Sequence, residues 1–231
     1  MNIIFVADIF GLTDEFEHFC QQTITHVKQL LTEADSLAVK CHMIGPYQKQ
    51  PALFSCEQDA YQYFTKNMTL DGYVKKLEQK LLAVTGSKLL VGFSVGGSAI
   101  WQLYSQNNNQ NNNQNNNQNN NQNNNQNNIE KSLGAICFYS SQIRHMTRLT
   151  PHIPIRLILP SEEQHFSVQE LRKSLQKNPA VTLEQSAYLH GFMNKLSANF
   201  QPSGYRDYCK KIAELLSQQC SKNINEQVNG K

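Results

Sequence analysis

The segment that most constrains the fold of this chain is Gly92–Gly97, with the sequence Gly-Phe-Ser-Val-Gly-Gly. An apolar run, Lys88–Val91, comes directly before it, and an apparent helix, Ser98–Tyr104, comes directly after it. A G-x-S-x-G sequence between a strand and a helix forces its serine onto a strained turn, which lifts the hydroxyl clear of the sheet. Glycines on both sides are needed, because a Cβ would collide with the crossing strand or helix. The helix that follows directs its first N–H groups to the same point, where they can hold a developing negative charge.

A low-complexity tract, Gln106–Asn128, interrupts the chain with repeats of Gln-Asn-Asn-Asn. Asparagine is a poor helix former and the tract has no apolar residue to bury, so we expect it to be disordered. Tracts of this kind can also self-associate through stacked amides, which leaves an interaction role as the alternative. Without these 23 residues, 231 − 23 = 208 remain, which is a normal size for one domain. We therefore predict a single domain over residues 1–231, interrupted by a disordered tract at 106–128.

Strand and helix patterns alternate along the rest of the chain. The predicted strands are Asn2–Ala7, Ser36–Ile44, Leu89–Phe93, Gly134–Tyr139, Ile153–Leu159 and Val181–Gln185. The predicted helices are Asp14–Leu31, Glu57–Asn67, Leu70–Val84, Gly96–Ser105, Ser167–Gln176 and Tyr205–Cys220. Strands separated by helices predict an α/β fold, with a mainly parallel sheet and helices on both faces. Because ligands of such sheets bind beyond the carboxyl ends of the strands, we expect Ser94 at the functional edge and the tract at the opposite edge.

The composition argues against several kinds of partner. The net charge of +3 is too small and too evenly spread for a nucleic-acid-binding surface. The six cysteines lack regular spacing, which indicates neither a disulfide framework nor a zinc site; Cys20 and Cys137 are typical of small core residues. No apolar run approaches the roughly 18–20 residues of a membrane span, and Met1–Val6 is typical of a first strand and not of a signal peptide. We therefore expect a cytoplasmic monomer or weak homo-oligomer that uses no metal or cofactor and binds neither nucleic acid nor membrane.

Two further residues complete a possible catalytic set with Ser94. A serine hydroxyl is a weak nucleophile that needs a base, and the base needs an acid to orient it. After a nucleophile on such a turn, the acid and then the histidine follow along the chain, each on a loop after a strand. The loop after the strand that ends at Leu159 contains Glu162 and Glu163, and the loop after the strand that ends at Gln185 contains His190. Both glutamates remain candidates for the acid.

Three segments together resemble the dienelactone hydrolase family of α/β-hydrolases: Gly92–Gly97, His190–Phe192 (His-Gly-Phe) and Asp8–Gly11 (Asp-Ile-Phe-Gly). The resemblance covers nearly the whole chain apart from the tract and implies an α/β-hydrolase fold without a large cap domain. It also implies a nucleophile, an acid, a base and two backbone N–H donors to the oxyanion. These are, in that order, Ser94, Glu163, His190, Ile9 and Val95.

The chain departs from the family pattern at three positions. The founding members carry cysteine as the nucleophile, whereas this chain carries Ser94. The family's acid is usually an aspartate followed closely by histidine or phenylalanine, whereas Glu162, Glu163 and Gln164 stand here. The family tends to have glutamate beside the nucleophile, where this chain has the shorter Asp8.

These residues predict a serine hydrolase that cleaves small ester or lactone bonds through an acyl-enzyme intermediate. The alternatives are an inactive hydrolase-fold protein kept for binding or as a scaffold, and an acyltransferase that uses the same three residues. For the substrate, we expect apolar contacts from Phe10, Tyr139 and Phe192, and Arg144 could meet an anionic group.

Overall fold

The computed structural model describes residues 1–48, 54, 56–110, 129 and 131–229 of the chain. The strands in these ranges are β1 (Asn2–Val6), β2 (Lys40–Ile44), β3 (Lys88–Phe93), β4 (Ser132–Phe138), β5 (Ile155–Leu159) and β6 (Val181–Gln185). The α-helices are α1 (Asp14–Gln29), α2 (Glu33–Leu37), α3 (Glu57–Asn67), α4 (Leu70–Leu82), α5 (Val95–Gln110), α6 (Val168–Leu175) and α7 (Pro202–Asn229). A short 3₁₀ helix, Ser141–His145, lies between β4 and β5.

The six strands form one sheet in the order β2-β1-β3-β4-β5-β6, and every neighbouring pair is parallel. This arrangement confirms the predicted parallel sheet. After β1 the chain adds β2 on one side and then returns to add β3 to β6 on the other side. The loops after β1 and β3 therefore lead away from each other and leave a crevice between them, which is where sheets of this kind bind ligands.

Alternate residues of β1 to β5 enter two apolar cores, one on each face of the sheet. In β1, Ile4 and Val6 belong to the core that the helices α3 to α6 cover, whereas Ile3 and Phe5 belong to the core beneath α1 and α7. All four side chains are fully buried. Burial of a side chain of this size contributes about 1.5–3 kcal/mol, so both faces hold β1, and with it the start of the crevice, in place.

The predicted strand Ser36–Ile44 is wrong in its first part. Thr32 caps a short helix there, because its hydroxyl accepts a hydrogen bond from the Asp35 N–H at 3.2 Å. The helix α2 consequently includes Ser36, and the strand begins only at Lys40. A local cap hydrogen bond therefore overrides the apolar pattern that suggested a longer strand.

Two predicted helix boundaries also need correction. The helix after Ser94 extends to Gln110, so residues 106–110 are helical and not disordered; residues 111–128 lie outside the described residues. A helix already formed adds further residues more easily than a new one starts, which explains how asparagines can continue it. The last helix begins at Pro202, a residue suited to the first helical turn, and continues to Asn229. Across the described ranges, none of the helices has both the length and the apolar character that crossing a membrane requires.

The two cysteines assigned to the core are buried, as the pattern predicts. Cys20 and Cys137 are both fully buried and their thiols are free. Burial raises the pKa of both thiols, because the thiolate would lose its hydration. Both side chains therefore act as small apolar residues.

Candidate active site

Ser94 lies on a strained turn between β3 and α5, as its sequence context predicts. Its φ of 50° is in the left-handed region, which costs a non-glycine residue about 1–3 kcal/mol. The backbone of β1 crosses so close that a Cβ on Gly96 would lie 2.4 Å from the carbonyl oxygens of Val6 and Ala7. A Cβ on Gly92 would lie 2.7 Å from the Cα of Gly97. Both glycines are therefore required by close packing, as predicted.

Three side chains from three loops are joined by two successive hydrogen bonds at this turn. The Oγ of Ser94 lies 3.0 Å from the Nε2 of His190. The Nδ1 of the same imidazole lies 2.7 Å from the Oε1 of Glu163. Ser94 follows β3, Glu163 follows β5 and His190 follows β6, so the carboxyl edge of the sheet brings together residues that are 96 and 27 positions apart.

The loops that carry Glu163 and His190 are bonded to each other and to their surroundings. The backbone N–H of Ser161 donates to the carbonyl of Tyr188 at 2.8 Å, which joins the two loops. The Nδ2 of Asn199 donates to the carbonyl of His190 at 2.9 Å. The ring of Tyr139 lies against the imidazole, with 4.9 Å between the ring centroids. These contacts restrict the position and the tilt of the imidazole.

The two neighbouring glutamates occupy different environments. Glu163 is largely buried, with 12% of its side chain exposed, and its Oε1 contacts His190. Glu162 is exposed on the wall of the same cleft. His165, which lies on the acid's loop, is also exposed on this wall. The contact to the imidazole thus distinguishes Glu163 from the neighbour that the sequence left as its alternative.

The two backbone N–H groups expected to bind an oxyanion lie on the same cleft as Ser94, on the loops after β1 and β3. Val95 is the first residue of α5, so its N–H has no acceptor within the helix. For Ile9, the described part of the chain offers no acceptor to the N–H. The carbonyl of Asp8, which shares a peptide plane with the Ile9 N–H, accepts from the N–H of Gly11 at 3.1 Å, and the carbonyl of Ile9 accepts from the hydroxyl of Tyr47, so the loop is held on both sides of this N–H. Both N–H groups are available to an anionic oxygen.

Asp8 lies directly before Ile9 and is 6% exposed. Its Oδ1 accepts from the N–H of Phe10 at 3.0 Å, and its Oδ2 accepts from the Nδ2 of Asn194 at 2.6 Å. Burial raises the pKa of this carboxyl group, and the hydrogen bonds from Asn194 and Phe10 partly offset that increase. Both carboxylate oxygens are therefore occupied by groups other than Ser94.

The cleft above Ser94 has a volume of about 720 Å³, within the usual range for sites that bind small molecules. Its walls combine charged, amide and apolar side chains. The lining includes Glu57, Gln58 and Tyr61 of α3, together with Gln142, Arg144, Glu162, Gln164, Phe166 and Leu189 from the segments after β4, β5 and β6. A lining of polar and apolar side chains is typical of sites that bind small molecules.

Of the four residues expected to contact substrate, the structure places one on the cleft. Arg144 lines it, with its Nη1 bonded to the Ser141 carbonyl at 2.8 Å and its guanidinium 5.1 Å from the centre of the Phe166 ring. The expectation for Phe10, Tyr139 and Phe192 is wrong. All three are at most 4% exposed, and they are absent from the described lining of the cleft.

Phe192 illustrates why the position of a residue along the chain gave a wrong expectation for the substrate contacts. Gly191 has a φ of 85°, a conformation that turns the chain directly after His190 back towards the sheet. Phe192 then packs in the core against Tyr208, with 5.2 Å between the ring centroids. Tyr139 also has a positive φ, of 37°, and its ring lies behind the imidazole instead of facing the cleft.

Asn194 and Asn199 belong to the site, although no pattern in the sequence indicated them. Both lie in the irregular segment between β6 and α7, where asparagine is a common residue. Their importance depends on contacts with Asp8 and with the carbonyl of His190. The partner of Asn194 is 186 positions away, so no local pattern could have indicated it.

Similarity to known proteins is limited in sequence and more extensive in structure. No protein-family model matches the chain. The uncharacterized protein YczH of Bacillus subtilis (strain 168) is 29% identical over 147 residues, which cover 62% of this chain and 61% of that protein. The match thus spans less than two thirds of the length of that relative.

Two solved structures are similar over most of the chain. Esterase B from Lactobacillus rhamnosis has a TM-score of 0.52 and 12% identity, with 100% of this chain and 80% of that chain covered. A dienelactone hydrolase-like promiscuous phosphotriesterase from metagenomic libraries has a TM-score of 0.49 and 12% identity, with 93% and 86% covered. The likeness to the esterase, together with the parallel six-stranded sheet and the serine turn after β3, shows that this chain has the α/β-hydrolase fold, with no large cap domain among the residues that the structure describes.

Proposed function

We propose that this protein is a serine hydrolase that cleaves small esters or lactones through an acyl-enzyme intermediate. The observation that carries the proposal is the continuous hydrogen-bonded series from Ser94 through His190 to Glu163, with distances of 3.0 and 2.7 Å. Both distances are within the range expected of a nucleophile, its base and the group that orients the base. The resemblance to dienelactone hydrolases supports the same assignment.

In the proposed mechanism, Nε2 of His190 takes the proton of the Ser94 hydroxyl as the oxygen attacks the substrate carbonyl. Glu163 accepts a hydrogen bond from Nδ1–H, which fixes the tautomer and stabilises the imidazolium that forms. The imidazolium then protonates the leaving alcohol. In the second half, His190 takes a proton from water, the resulting hydroxide attacks the acyl group, and Ser94 recovers its proton as the acid leaves.

The oxyanion would be held by the N–H groups of Ile9 and Val95. One belongs to the loop after β1 and the other to the first turn of α5, so the helix dipole adds to the hydrogen bond from Val95. Each donor of this kind contributes roughly 3–4 kcal/mol to the stabilisation of the transition state.

The size and polarity of the cleft support a small substrate. A volume of about 720 Å³ accommodates a short ester or a lactone, and the walls carry several amide and charged side chains. Long alkyl chains would leave these polar groups desolvated without partners, which is unfavourable. Arg144 would contact a polar or anionic group of the substrate on one wall.

The test is a screen of p-nitrophenyl esters of graded chain length together with small lactones. We expect turnover of the short esters or lactones and much slower turnover of the palmitate ester. In Ser94→Ala, kcat should fall by about 10⁶-fold, because attack by the hydroxyl is lost. The matched control is Ser141→Ala, a serine on the wall of the same cleft, which should leave kcat within a small factor. Near-native turnover in Ser94→Ala would contradict the proposal.

A further inference from the structure

A buried side-chain pair joins the loop after β1 to the loop after β6. Asp8, on the first loop, accepts a 2.6 Å hydrogen bond at Oδ2 from the Nδ2 of Asn194, on the second. Asp8 is 6% exposed and Asn194 is partly buried, so the bond is shielded from water. A hydrogen bond to a carboxylate in such a place is stronger than one on the surface.

On the side of β1, Asp8 shapes the turn that carries Ile9. Its Oδ1 accepts from the N–H of Phe10, and its own carbonyl accepts from the N–H of Gly11 at 3.1 Å. A side chain that bonds to the backbone two residues further on fixes a tight turn. The N–H of Ile9 is left out of these bonds, within the described residues, and remains available to an oxyanion.

On the side of β6, Asn194 organises the segment directly after His190. Its backbone N–H donates to the carbonyl of Gly191 at 2.8 Å, and its Oδ1 accepts from the N–H of Leu196 at 2.8 Å. These bonds leave Nδ2 directed to Asp8. The side chain therefore has little freedom to rotate its amide without losing one of them.

We propose that Asp8 and Asn194 form a positioning pair that sets the distance between the oxyanion donor at Ile9 and the base His190. Neither side chain lies on the described lining of the cleft, so the pair acts through the backbone that it holds. The proposal rests on the hydrolase function proposed above. It assigns to Asp8 a task that differs from contact with the nucleophile, because both carboxylate oxygens are already bonded to Phe10 and Asn194.

An exchange of the two groups tests the pair. Asp8→Asn would place two amide NH₂ groups face to face, and Asn194→Asp would place two carboxylates face to face. The double variant, Asp8→Asn with Asn194→Asp, restores one donor and one acceptor with the direction of the bond reversed. In the double variant, the N–H groups of Phe10 and Leu196 keep their oxygen acceptors.

The readout is the second-order rate of fluorophosphonate labelling at Ser94 in the full chain, with the thermal midpoint measured in parallel. A displacement of a reacting group by about 1 Å costs on the order of 100-fold in rate, so we expect this loss in each single variant. The double variant should be labelled at least about tenfold faster than either single variant. With a p-nitrophenyl ester, kcat should fall and KM should change little, because the pair does not touch substrate.

A control variant comes from the neighbouring residue. Lys195 forms an ion pair with Glu15 at 2.8 Å, with 36% and 44% of the two side chains exposed. This pair also joins the segment after His190 to another element, but on the surface, where such pairs contribute little. Glu15→Gln should therefore label at the wild-type rate.

Five outcomes would overturn the proposal. Single variants that label at the wild-type rate, or that lower only the thermal midpoint, would reduce the pair to a structural contact. A double variant that remains as slow as the singles, or that does not fold, would show that the bond itself is not what matters. If the single variants do not fold, the labelling rate of the double variant still tests the proposal. Wild-type protein that is not labelled would instead remove the proposed hydrolase function, and the pair's role with it.

Discussion

The two edges of the sheet are built in different ways. At the carboxyl edge, functional side chains from distant loops bond to one another: Ser94 to His190, His190 to Glu163, and Asn194 to Asp8. At the amino edge, the bonds beside the low-complexity tract hold parts of the core together and involve no candidate catalytic group; they include a buried bond between the hydroxyls of Tyr104 and Ser132 at 2.5 Å. There the N–H of Lys88 donates to the carbonyl of Lys131 at 3.0 Å, beside the start of β4.

This difference indicates where the chain tolerates change. The groups bonded at the amino edge take no part in the proposed chemistry, so changes there should act on stability more than on kcat. Bonds between side chains require the correct donor and acceptor at each position, and a buried group left without its partner costs about 1–3 kcal/mol. We therefore expect substitutions of the bonded side chains at the carboxyl edge to have large effects on kcat, and changes within the low-complexity tract to have small ones.

After loss of Ser94 itself, the largest effect on kcat is expected from substitution of the acid, Glu163. Glu163→Gln should lower kcat by about 10⁴-fold, because the amide can no longer stabilise the imidazolium or fix its tautomer. Glu162→Gln is the matched control, since its side chain is exposed one position away, and it should change kcat little. Steady-state kinetics on one ester measures both. Equal losses in the two variants would mean that the contact between Glu163 and His190 does not select the acid.

A smaller effect is expected on the pH dependence of the unfolding free energy, through the carboxyl group of Asp8. Burial raises the pKa of this carboxyl group in the folded protein, so the unfolded chain ionises first as the pH increases from about 4. The wild type should therefore lose unfolding free energy relative to Asp8→Asn as the pH rises through this window. The difference should become constant above the folded-state pKa.

Urea denaturation of both proteins between pH 4 and 7 measures this difference. The nearby charges that act on Asp8 are His190, which favours its ionised form, and Glu57, which opposes it. A wild type that instead gains stability relative to Asp8→Asn with rising pH would show that burial does not control this group.

The smallest effect is expected at the amino edge. Deletion of residues 111–128 leaves α5 to Gln110 and removes a stretch that the sequence predicts to be disordered; the closure entropy of such a stretch depends only logarithmically on its length. We expect kcat/KM within about twofold of the full chain and little change in Tm. A large loss of kcat in the deletion variant would contradict the separation of the two edges.

Local chemistry determined which parts of the fold and site could be predicted. Ser94 was predictable because strand, turn and helix are contiguous, and the alternation of strands and helices was enough to predict a parallel sheet. His190, and an acid at Glu162 or Glu163, followed from their order along the chain. The choice between Glu162 and Glu163 could not be made from sequence, because one residue of register in a loop decides which carboxylate contacts the imidazole.

Contacts set by tertiary packing were not predictable. Phe192 looked like a wall of the cleft because it follows His190, but the positive φ of Gly191 directs it into the core. The bond between Asp8 and Asn194 joins residues 186 positions apart. Thr32 caps a short helix through one hydrogen bond, so that the predicted strand begins only at Lys40, and apolar periodicity does not detect such a bond.

The most direct test of the central claim is mass spectrometry of the folded protein after treatment with a fluorophosphonate. The account predicts one adduct per chain, located by peptide mapping at Ser94, which is activated by a hydrogen bond to His190 at 3.0 Å. Folded protein that remains unmodified, or an adduct on another serine with Ser94 untouched, would contradict it.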